Sequence, residues 1–189
     1  MTKAEFEVIL QEEKELYLGK DAKEIKQKQK SHHKRYTIWK YMYYFRCSQY
    51  WRGVRQDSNA SQMTRRMAKL KYRYYDRKRN LYSEKAGVEI GIDNKIGRNC
   101  DIWHSGIVIN GNVGDNCTFH GNNIIGNKGN GQEKQKPTLG NYVDIGAGAN
   151  IIGELQIADR CIVGAGAVVT KSFIEKGTVI VGVPGRVLK

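Results

Sequence analysis

The sequence predicts a mainly β chain: a parallel β-helix built on a hexapeptide repeat, preceded by an α-helical N-terminal region. Three observations carry this. Every sixth residue from Leu139 to Val169 is aliphatic: Leu139, Ile145, Ile151, Ile157, Val163 and Val169. Charge breaks near Gly87: residues 1–86 hold 22 Lys and Arg against 10 Asp and Glu, and residues 87–189 hold 10 against 9. Before the break lie 14 of the 18 aromatic residues, while only Gly19 and Gly53 of the 21 glycines lie there. Two domains are therefore expected, 1–86 and 87–189.

The period of six fits neither a 3.6-residue helix nor a simple alternating strand. It suits one side of a triangular coil, a short strand plus a turn, with about eighteen residues to the coil and coils stacked roughly 4.8 Å apart. The aliphatic at each sixth place points inward. Small residues beside it, such as Gly140, Gly146, Ala158 and Gly164, permit sharp corners. The alternative, a run of ordinary buried strands, is disfavoured by six consecutive matches.

The helical region is read from its composition. Residues 3–30 are rich in Glu, Lys, Gln, Ala and Leu and lack proline, so one helix is expected there. A second is expected over 34–54, dense in Tyr and Trp. Asp57, Ser58 and Asn59 offer a start for a third, running from Met63 to Tyr82. The net charge of +13 is almost all in this region. Lys and Arg among aromatics suit phosphates and bases, but no nucleic-acid motif is present and nucleic-acid binding is not expected. A packed helical unit that supports oligomerisation is the simpler reading. Peripheral contact with an anionic membrane surface is the competing one.

From Gly87 the repeat runs through Ile90, Ile96, Ile102 and Val108, slips by one residue, and resumes at Val113, Phe119 and Ile125. The hydrophilic stretch 126–138 interrupts it and is expected to project as a loop. Four coils to five follow from this spacing. No stretch of eighteen apolar residues and no signal-peptide core is seen, so a cytoplasmic location is expected. Cys47, Cys100, Cys117 and Cys161 have no CxxC spacing, which argues against a zinc site or a disulfide framework.

The run IGAGANIIGELQIADRCIVGAGAVVTK followed by GVPGR, with DIWHSGIVI upstream, resembles the left-handed parallel β-helix acyltransferases, the hexapeptide-repeat family. Within it the chain is similar to serine acetyltransferases and to O-acetyltransferases of bacterial surface polysaccharides. The likeness covers about residues 87–189. The helical region resembles that of serine acetyltransferases only loosely and is shorter. Left-handedness comes from the resemblance alone.

The resemblance implies an acetyl-CoA-dependent O-acetyltransferase, needing no metal and working as a homotrimer with sites between subunits. His104, in DIWHSGIVI, matches the family's catalytic base. A hydroxyl is a poor nucleophile near neutral pH, and an imidazole can take its proton as the oxygen attacks the thioester. Glu89, fifteen residues earlier, matches the carboxylate that orients the base; Asp101 is the second candidate. His120 is expected as an acceptor contact, or as the base if the motif aligns otherwise. Ala147 and Ala165 match positions where small residues let pantetheine approach the backbone. Thr170 and Lys171 match positions near the nucleotide, and Arg186 and Lys189 suit the CoA phosphates.

The family's serine enzymes carry Asp-Arg-His-Pro before the repeat resumes. This chain has Lys134, Gln135, Lys136 and Pro137. Without the arginine and histidine a sugar hydroxyl, in a capsular or exported polysaccharide, is the expected acceptor, with Lys136, His120 and Asp101 beside it. The alternatives are a serine O-acetyltransferase of cysteine biosynthesis and a non-catalytic β-helix scaffold.

Overall fold

The computed structural model describes residues 2–129, 131 and 134–188. The chain divides into two compact units, Met1–Gly87 and Val88–Lys189.

The first unit is helical. Helix α1 (Lys3–Leu18) starts at a capping box, in which the Thr2 hydroxyl accepts from the Glu5 amide and the Glu5 carboxylate accepts from the Thr2 amide. Those bonds hold the Glu5 carboxyl below its ordinary range. The single helix expected over 3–30 is in fact two. Gly19, at φ +82°, ends α1, and Asp21 caps a new helix, α2 (Ala22–Lys30), by accepting from the Glu24 amide at 2.8 Å. Helices α3 (Lys34–Gln56) and α4 (Gln62–Ala86) form the main pair. Ser61, rather than the Asp57–Asn59 stretch, caps α4, and Gly87 in the left-handed region closes it.

The apolar core of this unit comprises Tyr17, Leu18, Ile38, Tyr41, Met42 and Phe45. Phe6 stacks on Tyr50 with ring centroids 4.4 Å apart. An ion pair is buried with the core: Arg46 Nη2 lies 2.6 Å from Glu13 Oε1, both side chains under 5% exposed. None of the described helices is long and apolar enough to cross a membrane.

The second unit is a parallel β-helix whose chain visits three faces in turn. The first coil holds β1 (Val88–Ile90), a bridge at Ile96 and β2 (Asp101–Ile102). The second holds β3 (Ile107–Ile109), β4 (Asn112–Val113) and β5 (Thr118–Phe119). The third holds β6 (Ile124–Gly126), β7 (Thr138–Leu139) and β8 (Asp144–Ile145). The fourth holds β9 (Asn150–Ile152), β10 (Gln156–Ile157) and β11 (Ile162–Val163). The fifth holds β12 (Val168–Val169), a bridge at Phe173 and β13 (Val179–Val181). The ladders join equivalent strands of successive coils, so β1, β3, β6, β9 and β12 form one face, and β2, β5, β8, β11 and β13 another. A last strand, β14 (Arg186–Val187), folds back antiparallel on β13 and caps the stack.

The aliphatic repeat fills the interior. Ile102, Phe119, Ile145, Val163 and Ile180 stack on one inner wall, and Ile109, Ile125, Ile151 and Val169 on another, all at most 1% exposed. Val108 is a correction. It was expected to point inward, but it faces out, 38% exposed, while Ile107 and Ile109 on either side are buried. β3 has three residues and directs its two ends inward, so the period shifts by one there. The third coil is the long one: Asn150 pairs with Ile124, 26 residues earlier, whereas Val168 pairs with Asn150, 18 residues earlier. The excess is the 126–138 insertion.

Candidate active site

The edge that carries His104 is the corner between the face of β2 and the face of β3. Its backbone is tied from coil to coil. Asn122 donates to the Ser105 carbonyl, Gly148 to that of Gly121 and Gly166 to that of Ala147, each at 2.9 Å. The turn at each level needs a left-handed residue: Gly106 (φ +79°), Asn122 (+51°), Gly148 (+73°) and Gly166 (+68°). Asparagine tolerates that region better than other side chains, which accounts for the one non-glycine. Asn123, fully buried, pins the corner. Its Oδ1 accepts from the Gly121 amide, and its Nδ2 donates to the carbonyls of Gly146 and Ala149.

Along this edge the side chains are His104, then Gly121, Ala147 and Ala165, one coil apart. At roughly 4.8 Å per coil, His104 and Ala165 are about 14 Å apart along the axis. A Cβ on Gly121 would lie 2.7 Å from His104 Cβ, so His104 packs its Cβ against bare backbone. Ala147 and Ala165 are both exposed, and the Ala165 amide nitrogen comes within 2.5 Å of where a Gly146 Cβ would be. The edge is thus an open strip of small residues with one imidazole at its end. Its chemistry suits an extended chain that bonds to backbone, such as pantetheine.

The other expected residues lie elsewhere. Glu89 projects outward from β1, in register with Val108, and is exposed. Asp101 accepts from Trp103 Nε1 at 2.9 Å. Among the described residues neither carboxylate is hydrogen-bonded to the His104 ring. The carboxylate–imidazole pair that does form is His120 Nε2 to Asp144 Oδ1, at 2.8 Å. Trp103 leans on the His120 ring, centroids 4.9 Å apart at 49°. Trp103 and Asp144 were not singled out from the sequence. Asp144 sits one residue before the inward Ile145, where side chains face out, but its alignment with His120 passes through the coil that carries the insertion.

Thr170 and Lys171 follow β12, past the opposite end of that face from the His104 corner, and both are exposed. Lys171 Nζ lies 5.5 Å from the Phe173 ring centre. Arg186 is exposed on β14. Lys189 lies outside the described residues, as do parts of the loop 126–138. Lys136 donates to Asn94 Oδ1 at 3.0 Å, and Asn94 Nδ2 in turn donates to the Ile109 carbonyl. Its ammonium is a strut between the end of the loop and the first coil. Among the described residues no group of three His, Cys, Asp or Glu side chains could hold a metal ion.

Proteins of known activity resemble this chain in sequence and in fold. The homologues of the chain are serine acetyltransferases, of the hexapeptide-repeat acyltransferase family. The serine acetyltransferase of Synechococcus elongatus is 38% identical over 105 residues, 54% of this chain and 43% of that protein. That of Mycobacterium tuberculosis is 39% identical over 105 residues, 54% and 45% of the two chains. The chain therefore aligns with about half the length of the curated relatives it matches. Serine acetyltransferase structures share the fold across the whole chain. That from Brucella abortus matches with a TM-score of 0.70 at 20% identity, covering 98% of this chain and 70% of that one. That of soybean bound to serine matches at 0.68 and 21% identity, covering 98% and 70%. No protein-family model matches.

These relatives overturn the expectation of a sugar acceptor in a capsular or exported polysaccharide. It rested on the absence of arginine and histidine from the 134–137 run. The structure gives the physical reason that this was a poor guide: Lys136 in that run bonds to the scaffold through Asn94. Peripheral membrane contact finds no support among the relatives either.

Proposed function

We propose that the chain is a serine O-acetyltransferase, transferring acetyl from acetyl-CoA to the hydroxyl of L-serine and so feeding cysteine biosynthesis. The observation that carries this is the 36–39% identity to serine acetyltransferases over about half of the chain, joined to a match in fold over 98% of it. His104 is the general base: it takes the hydroxyl proton as the oxygen attacks the thioester carbonyl, and returns it to the CoA sulfur as the C–S bond breaks. Backbone amides of the corner turns stabilise the tetrahedral oxyanion. Ala147 and Ala165 flank the pantetheine arm. Thr170, Lys171 and Arg186 hold the nucleotide end, and Lys189 is assigned there from the resemblance alone. No metal takes part.

The coil is left-handed and the enzyme is a homotrimer, as in the family it resembles. Thr170, Lys171 and Arg186 lie off the His104 edge, which is the arrangement expected if neighbouring subunits complete each site. Glu89 is assigned as the carboxylate that orients the base from the resemblance alone.

Thiol release from acetyl-CoA in the presence of L-serine tests the proposal. His104→Ala is expected to lower turnover by about 10²- to 10⁴-fold, the usual contribution of a positioned base. Undiminished turnover in that variant would remove the base, and no turnover of L-serine by the unaltered protein would remove the function.

A further inference from the structure

Asp101, Trp103, His120 and Asp144 form a chain of contacts across three coils, on the face that borders the His104 edge. Asp101 Oδ2 accepts from Trp103 Nε1, the indole covers one side of His120, and His120 Nε2 meets Asp144 Oδ1. In register, Trp103 and His120 follow the paired strands β2 and β5, so His120 is the residue next to Gly121, on which His104 rests. This places an oriented imidazole–carboxylate pair beside the proposed base.

The pair differs from the structural polar ladder of the same β-helix. On another edge Asp115, Asn141 and Asp159 each accept from a backbone amide of the preceding coil, at 2.8–2.9 Å. Those bonds hold turns together. His120 and Asp144 bond to each other and, among the described residues, their side chains make no bond to backbone. Both remain open to solvent, at 32% and 47%. With Asp144 accepting at Nε2, a neutral His120 carries its proton there and presents the Nδ1 lone pair. Two carboxylates, Asp101 and Asp144, belong to this chain of contacts.

We infer that His120, positioned by Asp144 and Trp103, recognises the ammonium group of an amino-acid acceptor and so sets specificity. This rests on the proposed serine acetylation and assigns to it a residue that selects the substrate. Nδ1 accepts from the ammonium, the Asp144 carboxylate supplies the attracting charge, and the indole shields the contact from water. The hydroxyl of the same acceptor then lies toward His104.

The experiment compares L-serine with 3-hydroxypropionate, which keeps the hydroxyl and the carboxylate and lacks the ammonium. The quantity read is the ratio of kcat/KM for the two acceptors in the unaltered protein, Asp144→Asn and His120→Asn. Loss of a charge-assisted hydrogen bond predicts that the ratio falls about 10- to 100-fold in both variants, chiefly through KM for L-serine. A merely structural clip would lower both activities together and leave the ratio alone. An unchanged ratio in both variants, with brisk L-serine turnover by the unaltered protein, overturns this inference and leaves the proposed function standing. Absence of L-serine turnover by the unaltered protein overturns both.

Discussion

Gly121→Ala is the sharpest perturbation of the site, because it changes no functional group. Gly121 has φ +123°, where an L residue is strained, and its Cβ would sit 2.7 Å from His104 Cβ. Carbon atoms prefer about 3.5–4.0 Å, so one must yield by roughly 1 Å. The Gly121 backbone cannot yield easily: its amide is held by buried Asn123 and its carbonyl accepts from Gly148. His104, exposed and on a turn, moves instead. Misplacement of a catalytic group by about 1 Å costs up to 10²-fold in rate. The strained backbone adds about 1–3 kcal/mol of destabilisation. Gly177→Ala is the control. Its φ is +72°, nothing lies within 4 Å of its Cβ, and it stands on another corner. That variant should lose about 1 kcal/mol of stability and no activity. Thiol-release kinetics and urea denaturation on both proteins read the two effects. If Gly121→Ala kept the kcat/KM of the unaltered protein, the placement of His104 on Gly121 would have no bearing on catalysis.

Three other outcomes follow from the geometry. Glu13→Gln removes the buried carboxylate charge 2.6 Å from Arg46 and should cost about 3–5 kcal/mol in denaturant titration, whereas replacing both by apolar residues of similar volume should recover most of that. Asp159 is held below the ordinary carboxylate range first by the Asn141 amide and then by Lys176, so its contribution is full above the unfolded-state pKa and is lost as pH falls through the lower folded value; Asp159→Asn should therefore flatten the acid limb below about pH 4 in a stability–pH profile. Burial pushes the Cys47 thiol up to about 12, so iodoacetamide at pH 8 should label this site only after unfolding, read by mass spectrometry of the peptide.

The parts of the fold legible in the sequence are those set by steric demand inside a coil. The interior admits one aliphatic per side, and Leu139, Ile145, Ile151, Ile157, Val163 and Val169 report it without interruption because each side there is six residues long. Val108 misled because β3 is one residue longer and points both Ile107 and Ile109 inward; an Ile-Val-Ile triplet offers two registers, and only the ladder with Ile124 and Ile125 decides between them. Gly19 was legible in principle, since glycine followed by an aspartate two residues on marks a helix end and a new cap. The outward pairs were not legible. His120 and Asp144 are 24 residues apart because the insertion intervenes, and no period connects them.

On the proposed function, the acceptor is harder to read from sequence than the thioester donor for a reason inherent in this architecture. On that function, a donor that bonds to backbone needs only small side chains in a column, and Gly121, Ala147 and Ala165 would meet that requirement coil after coil. An acceptor is read by side chains, one or two per coil, contributed by turns whose sequences are otherwise unconstrained. Such residues come singly, as Trp103 and His120 do, and their meaning depends on which coil lies next to them. A loop that adds length to one coil leaves the column intact while scrambling the spacing of its outer residues. On that reading, a change of acceptor would fall on the outward residues and leave the column of small residues in place. In this chain the positions that would carry such an exchange are Trp103, His120 and Asp144, which are joined by contact although no repeat relates them.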